Sequence, residues 1–391
     1  MDFELTPQEA SIKEKAHAFV EEVCRPLESE WAADDYDVPV EKLLHVSRKF
    51  REYGLRGLSV PKNVGGLGLG TVAKCLVYEE IRKSHVTHGG LPTYSGLLEP
   101  CSALHDAPEW QKEKYLYPLL RDEKFFHIQI SEPGAGSDAA AIETTAVRDG
   151  DNYIINGVKR WAPTPDHPLV TPEYLLCYAV TSPGKGYEGI SIFLVDFPNA
   201  QIRIGEQFKT IATGILSRSC DYHYENVVVP AANMLGAEGM GFRYMMDQLN
   251  RNRVAIGARH VGTAQWAQSR AIAKAKERST FGEPLANRQA IQWMIADSEM
   301  ELEQLRCLVY KAAWMVDRGI DARKEVAMVK ALAPAVGSNV IDRSIQIHGG
   351  MGLVEQTRLI QLLGEARVAR IAEGTSETMK MTVAREALRR G

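Results

Sequence analysis

The sequence predicts an α+β chain that is mainly α. It reads as a helical N-terminal domain (1–126), a central β-barrel or sandwich domain (127–235) and a C-terminal four-helix bundle (236–391). Three observations predict this. Apolar residues recur at helical spacing up to about Phe126, short β-rich runs punctuated by turn residues then take over, and long helical stripes return after Gly239. At 391 residues the chain is too long for one ordinary core.

Ordinary composition narrows the function classes. Hydrophobic content of 45% and charged content of 25% are those of a globular protein. A net charge of −4, with no long basic run, gives no sign of a nucleic-acid partner. The six cysteines lie far apart with no CxxC pair, which argues against a zinc site or a disulfide framework. The opening MDFELTPQEASIKEK lacks an apolar h-region, and no run reaches membrane-span length, so the expected location is cytoplasmic.

Element by element, Thr6-Pro7 is a cap followed by proline at the first helical position, and Ile12, Ala16, Phe19, Val20 and Val23 continue the stripe. Helices follow over about Val40–Tyr53 and Thr71–Ser84, separated by the glycine-rich turn Val60–Gly68, with further helical turns from His88 to Leu120. Strands are expected at Phe126–Ile130, Ile142–Val147, Tyr153–Val158, Tyr174–Val180, Ile190–Val195 and Asp221–Val229. Met240–Lys276 is one long helix. The next carries Ile291, Ile295, Leu302, Leu305, Val309, Ala312 and Val316 on one stripe, broken only by Ser298 and ended by Gly319. A third covers about Lys324–Ile347, with Pro334 as a kink, and a last follows Glu373-Gly374-Thr375-Ser376-Glu377.

That last stretch holds the candidate base. Glu373 follows apolar Ile371 and Ala372 and precedes a Gly-containing turn, so it can sit partly desolvated at a cleft wall with a raised pKa. The same residues also read as a helix N-terminus capped by Thr375 or Ser376. Four other stretches can present backbone or aromatic faces to a ligand: Ser131–Asp138 (SEPGAGSD), Lys159-Arg160-Trp161, Arg278–Gly282 and Gln346–Gly352. None is a GxGxxG dinucleotide motif, and each taken alone also reads as a turn.

In this order and spacing, SEPGAGSD, NRNR, RSTFGEPLANRQAIQ, QIHGGMG and RIAEGTSE resemble the signatures of the acyl-CoA dehydrogenase family along essentially the whole chain. The resemblance implies the three-part fold, non-covalent FAD between β-domain and bundle, and dehydrogenation of an acyl-CoA to a trans-2-enoyl-CoA. It implies Glu373 as base, with hydride passing to flavin N5 and electrons to an electron-transferring flavoprotein. By position, Ile130, Ser131 and Gly136 would face the flavin, Ser137 the flavin or the CoA arm, and Trp161 would stack nearby. Arg278, Phe281, Gln346 and Gly350 would reach the FAD of a neighbouring subunit, implying a dimer or tetramer. Thr375 and Glu377 would meet its adenosine half. Substrate contacts would come from Ser137, Leu249, Asn252, Arg253 and Gly374, and no metal is implied. Asn252 holds the position where some relatives carry the base, and an amide cannot take a proton.

The chain also departs from the family's pattern. Pro163 stands where a hydroxyl usually bonds flavin N5, leaving Thr164 as the substitute, and the insertion Pro165–Pro172 follows. Ala372 replaces a bulky aromatic before the base. Gly364-Glu365 replaces an Arg-Asp pair, and over Gly364–Gly374 and Val326–Pro334 the chain more closely resembles a branch that includes members acting on long-chain or 4-hydroxyacyl-CoA substrates. Other flavin chemistry on the same scaffold (acyl-CoA oxidase, nitroalkane oxidase or flavin monooxygenase) and a non-catalytic FAD-bearing role are the competing readings.

Overall fold

The computed structural model describes residues 4–90, 93 and 100–390. Part of the helical stretch expected from His88 to Leu120 lies outside the described residues.

Helix α1 (Pro7–Phe19) starts in a capping box: the Glu9 N–H donates to Thr6 Oγ1 at 3.2 Å and the Thr6 N–H to Glu9 Oε2 at 2.8 Å. Its stripe runs on through a π-helical turn, Val20–Cys24, and Ile12, Ala16, Phe19, Val20 and Val23 are all buried. α2 (Val40–Glu52) and α3 (Thr71–Ile81) close this core around Phe19 and Phe50. α3 is capped from far away: Asp317 accepts the Thr71 and Val72 N–H groups at 2.6 and 2.9 Å. A continuous helical run, 109–120 (α4), leads into the sheet.

One seven-stranded, curled sheet forms the middle. Its strands are β1 (Phe126–Gln129), β2 (Thr145–Asp149), β3 (Asn152–Pro163), β4 (Tyr174–Val180), β5 (Ile190–Asp196), β6 (Ile202–Lys209) and β7 (Arg218–Pro230). The order is β1-β4-β2-β3-β7-β6, with β5 also on β4. β4 and β5 are nearly continuous apolar runs and are buried accordingly. β6 is the strand that the sequence reading lacks. It reads IRIGEQFK, is half-exposed, and pairs only with β7 across a register shift, so its alternation is weak. The Pro165–Pro172 insertion is anchored: Leu169 and Val170 are buried in the N-terminal helical core, each worth about 1.5–3 kcal/mol of burial.

The C-terminal part holds α5 (Gly241–Glu277), α6 (Gln289–Asp317), α7 (Arg323–His348) and α9 (Ser376–Arg390), as expected, plus the shorter α8 (Leu359–Ala369), which the sequence reading left unassigned. On α6, Leu302, Leu305, Val309 and Ala312 face the core. Ser298 shares that face by donating its hydroxyl to the Met294 carbonyl at 2.8 Å. α7 runs continuously through Pro334. Gly364 lets α8 approach the sheet, since a Cβ there would overlap the Ile211 carbonyl. Among the described residues no helix is long and apolar enough to cross a membrane.

Candidate active site

Where the sheet meets α3 and α5 the chain encloses a cleft of about 320 Å³. Ile128, Ile130, Trp161, Pro163 and Ser219 form its sheet wall; Gln248, Leu249, Asn252 and Ile256 form its α5 wall. Tyr78, Arg82, Arg259, Ala372 and Glu373 close the inner end.

Glu373 lies in the loop between α8 and α9 with φ +57°, followed by Gly374 at φ +102°. A left-handed glutamate costs of order 1 kcal/mol, so its surroundings must hold it. Three side-chain bonds do so. Arg253 Nε donates to the Glu373 carbonyl at 3.0 Å, and Lys330 Nζ donates to the Ala369 and Gly374 carbonyls at 2.7 and 3.0 Å. Gly374 is needed as glycine: besides its φ, a Cβ would press on Arg253 and Met379 at 3.0 Å.

The Glu373 carboxylate is itself left available, because Oε2 is buried without a hydrogen-bond partner among the described residues. Burial raises its pKa above the ordinary 4.5, outweighing the opposing charges of Lys330, Arg259, Arg253 and Lys74. The helix-cap reading holds at the same time, since Thr375 Oγ1 accepts the Thr378 N–H at 3.2 Å.

The Ser131–Asp138 turn is built on a buried ion pair. Lys159 Nζ, fully buried, sits 2.7 Å from Glu132 Oε1, and Glu132 also accepts the Glu143 and Thr144 N–H groups. Burial pushes the Glu132 carboxyl up, but the lysine and these donors win and hold it below the usual range. The far side of the turn is open, since a Cβ on Gly134 or Gly136 would meet nothing within 4 Å. Trp161, at φ +68°, is 56% exposed, which leaves an indole beside the cleft for a planar group to cover.

Of the residues singled out from sequence, Ile130, Trp161, Leu249, Asn252 and Glu373 line the cleft. Arg253 stands behind Glu373 and holds its carbonyl. Thr164 is buried off the cleft, whereas Ser219, opposite Pro163 on β7, lines it. Ser131 borders the turn and accepts the Arg160 N–H at 2.8 Å; Gly136 and Ser137 are exposed on it. Gly374, Thr375 and Glu377 continue from Glu373 into α9 without lining the cleft. Arg278, Phe281, Gln346 and Gly350 lie apart, at the end of the bundle where Ala275 of α5 packs on Ile347 of α7, and Phe281 is 98% exposed.

Sequence reasoning missed Lys330, Arg82, Arg259 and Ser219. A lysine inside the apolar run Val326–Val336, and the polar pair Arg259-His260 in a run otherwise made of small or apolar residues, were the available signals.

Fold and site together define a class: a helix–sheet–helix chain that keeps one desolvated carboxylate in a cleft bounded by all three parts. Comparison with known proteins gives the family. The models of the acyl-CoA dehydrogenase N-terminal, middle and C-terminal domains match residues 6–123, 128–227 and 239–388. A 3-(aryl)acrylate reductase of Clostridium sporogenes is 35% identical over 98% of this chain and 99% of its own. The caffeyl-CoA reductase-Etf complex subunit CarC of Acetobacterium woodii is 34% identical over 86% of this chain and 87% of its own. The structure of butyryl-CoA dehydrogenase from Megasphaera elsdenii superposes with a TM-score of 0.87 at 29% identity, covering 99% of this chain and 100% of that one. The chain belongs to the acyl-CoA dehydrogenase family, whose members are FAD-binding oxidoreductases.

Proposed function

We propose that this chain interconverts an acyl-CoA and its trans-2-enoyl-CoA, with Glu373 as the base. One observation carries the reading: Glu373 Oε2 is unpaired, desolvated and at the wall of the cleft. The residues present fit a flavin, since the exposed Trp161 face and the open turn at Gly134 and Gly136 leave a planar cofactor room along the sheet wall. Bound FAD would supply the hydride acceptor for the β-carbon.

The chain's own residues would do the rest. Glu373 would take the α-proton, and burial makes it a stronger base than an ordinary carboxylate. Its backbone N–H would meet the thioester carbonyl as negative charge develops there. Arg253 and Lys330 would hold the loop so that both groups stay aimed. Asn252 and Leu249 would flank the thioester, and Gly374 would pass close beside it. Ile130 with Ser131, Gly136 and Ser137 would edge the cofactor, and Ser219, not the buried Thr164, would offer it a hydroxyl beside Pro163. Thr375 and Glu377 would meet its adenosine half.

Arg278, Phe281, Gln346 and Gly350, exposed and remote from this cleft, would complete a neighbouring subunit's cofactor site, giving a dimer or tetramer. An electron-transferring flavoprotein would be the redox partner, as the name of the CarC relative suggests for that protein. Two relatives named as reductases support a second reading, that the physiological direction is reduction of the enoyl-CoA. Microscopic reversibility gives Glu373 the same place in both.

Anaerobic titration of the FAD-loaded protein with saturated acyl-CoAs tests the proposal. Flavin bleaching that disappears in Glu373→Gln is expected. No bleaching by any acyl-CoA, with FAD bound, would overturn it. Oxygen uptake without an electron-transferring partner would favour the other flavin chemistries.

A further inference from the structure

Beyond Glu373 the cleft opens into a second, inner chamber of about 90 Å³, and the two share Arg82, Ile256, Arg259, Ala372 and Glu373 as common walls. The inner chamber is where an acyl tail would go if the thioester lies by Leu249 and Asn252. Its sides are apolar, from Ile341, Leu362, Ala366 and Ala369. Its end is polar, and the polar groups there differ in how they are used.

Arg82 is saturated. It donates to Glu365 at 2.6 Å, to the Thr87 and His88 carbonyls at 2.6 Å each, and to Thr263 Oγ1 at 3.1 Å. Because Thr263 accepts that bond, its own O–H is free to donate elsewhere. His260 donates Nδ1–H to the Ile256 carbonyl at 2.9 Å, and burial holds it neutral, its pKa pushed down to about 3. Arg259 has no hydrogen bond or ion pair among the described residues, yet it lines both chambers. It lies seven residues along α5 from Asn252, about 10 Å along the helix axis.

Charge points the same way. Lys330, Arg259, Arg253 and Lys74 all act on Glu373, while Glu365 is already paired with Arg82. A plain alkyl tail in the chamber would cover the half-buried Arg259 guanidinium and offer it no hydrogen-bond acceptor, which is costly. A carboxylate there would meet a planar donor fork and a hydroxyl.

We propose that the acyl group this chain selects ends in a carboxylate, a dicarboxylic acid mono-thioester whose distal carboxylate is held by Arg259 with help from the Thr263 hydroxyl. This rests on the acyl-CoA reading above.

The test pairs acyl-CoAs of equal carbon skeleton: adipoyl-CoA against hexanoyl-CoA, and glutaryl-CoA against pentanoyl-CoA. Each is titrated anaerobically into the FAD-loaded wild type, and each is bound calorimetrically to Glu373→Gln. At least a tenfold preference for the carboxylated partner in both readouts is expected. Arg259→Met should cut that preference tenfold or more by weakening the diacid and improving the plain chain, with Arg259→Lys in between. Equal or better use of hexanoyl-CoA by the wild type, or a preference unchanged in Arg259→Met, would overturn the inference and leave the dehydrogenase reading intact. Bleaching by neither member of either pair, nor by any other acyl-CoA, would overturn both.

Discussion

Replacing Lys330 by methionine keeps the length of the side chain and removes only its ammonium group. In the folded chain that group is fully buried and holds two carbonyls of the Glu373 loop, at 2.7 and 3.0 Å. Hydrogen bonds from a charged donor contribute about 1.5–3 kcal/mol each. Against them stands the burial of the charge, which pushes the Lys330 pKa from 10.5 down to about 8. That depression corresponds to about 3 kcal/mol of lost preference for the charged form. The two nearly offset, so Lys330→Met should lower stability by only about 0–3 kcal/mol. Activity should suffer more. The loop carries two consecutive left-handed residues, and freeing one side of it lets the carboxylate drift by about 1 Å, a displacement worth about a hundredfold in rate. The expected result is a kcat reduced by about ten- to a hundredfold with KM little changed. A second signature follows from charge. Lys330 is the largest of the charges holding the Glu373 pKa down, so the acid limb of the pH–rate profile should move to higher pH. Steady-state kinetics over a pH series, beside thermal unfolding, measures all three. An unchanged kcat together with an unmoved acid limb would refute the positioning role and leave Lys330 as bundle filling.

Other predictions follow from the same geometry. On the proposed role only deprotonated Glu373 would act as the base, so kcat/KM should rise with pH through a midpoint above 4.5; a midpoint at 4.5 or below, read from the same pH series, would contradict its desolvation. The folded chain holds this proton more tightly than the unfolded chain, so the stabilisation Glu373 gives is full below 4.5 and is lost as pH rises through its folded value. Denaturant midpoints of wild type and Glu373→Gln should therefore converge or cross across that window. Gly364→Ala should cost about 1–3 kcal/mol by driving a methyl into the Ile211 carbonyl, read as a lower denaturant midpoint. Glu365→Gln should cost about 3–5 kcal/mol, because it strands the buried Arg82 guanidinium; a midpoint within 1 kcal/mol of wild type would show the pair to be dispensable.

The long stripes were legible because burial on one face writes a period into the chain, as from Leu302 to Ala312 on α6. β6 was not, since a half-exposed edge strand with Arg203, Glu206 and Gln207 has little period to write. α8 was passed over, and the Ile211 carbonyl that explains its glycine is a contact distant in sequence, which no local pattern shows. Glu373 could be picked out from its apolar neighbours and glycine, and the left-handed backbone there is what that glycine signalled. The residues that position it could not. Lys330 and Arg253 act through carbonyls 39 to 120 positions away in sequence, a relation that no local pattern carries.

Arg82 and Glu365 have a consequence for how such a chain can change its diet. Arg82 comes from the N-terminal part and Glu365 from the bundle, and Thr213 of the sheet region donates to Glu365 at 3.2 Å. One knot therefore ties all three parts and also forms one wall of the inner chamber. Mutations that reshape the chamber at the knot risk loosening the whole molecule, and selection would remove most of them. Arg259 and Thr263 sit on the same chamber on α5, and Arg259 takes no part in the knot. Inherited shifts in tail preference should accumulate at 259 while 82 and 365 stay fixed, which leaves the lineage one adjustable dial set into a rigid frame.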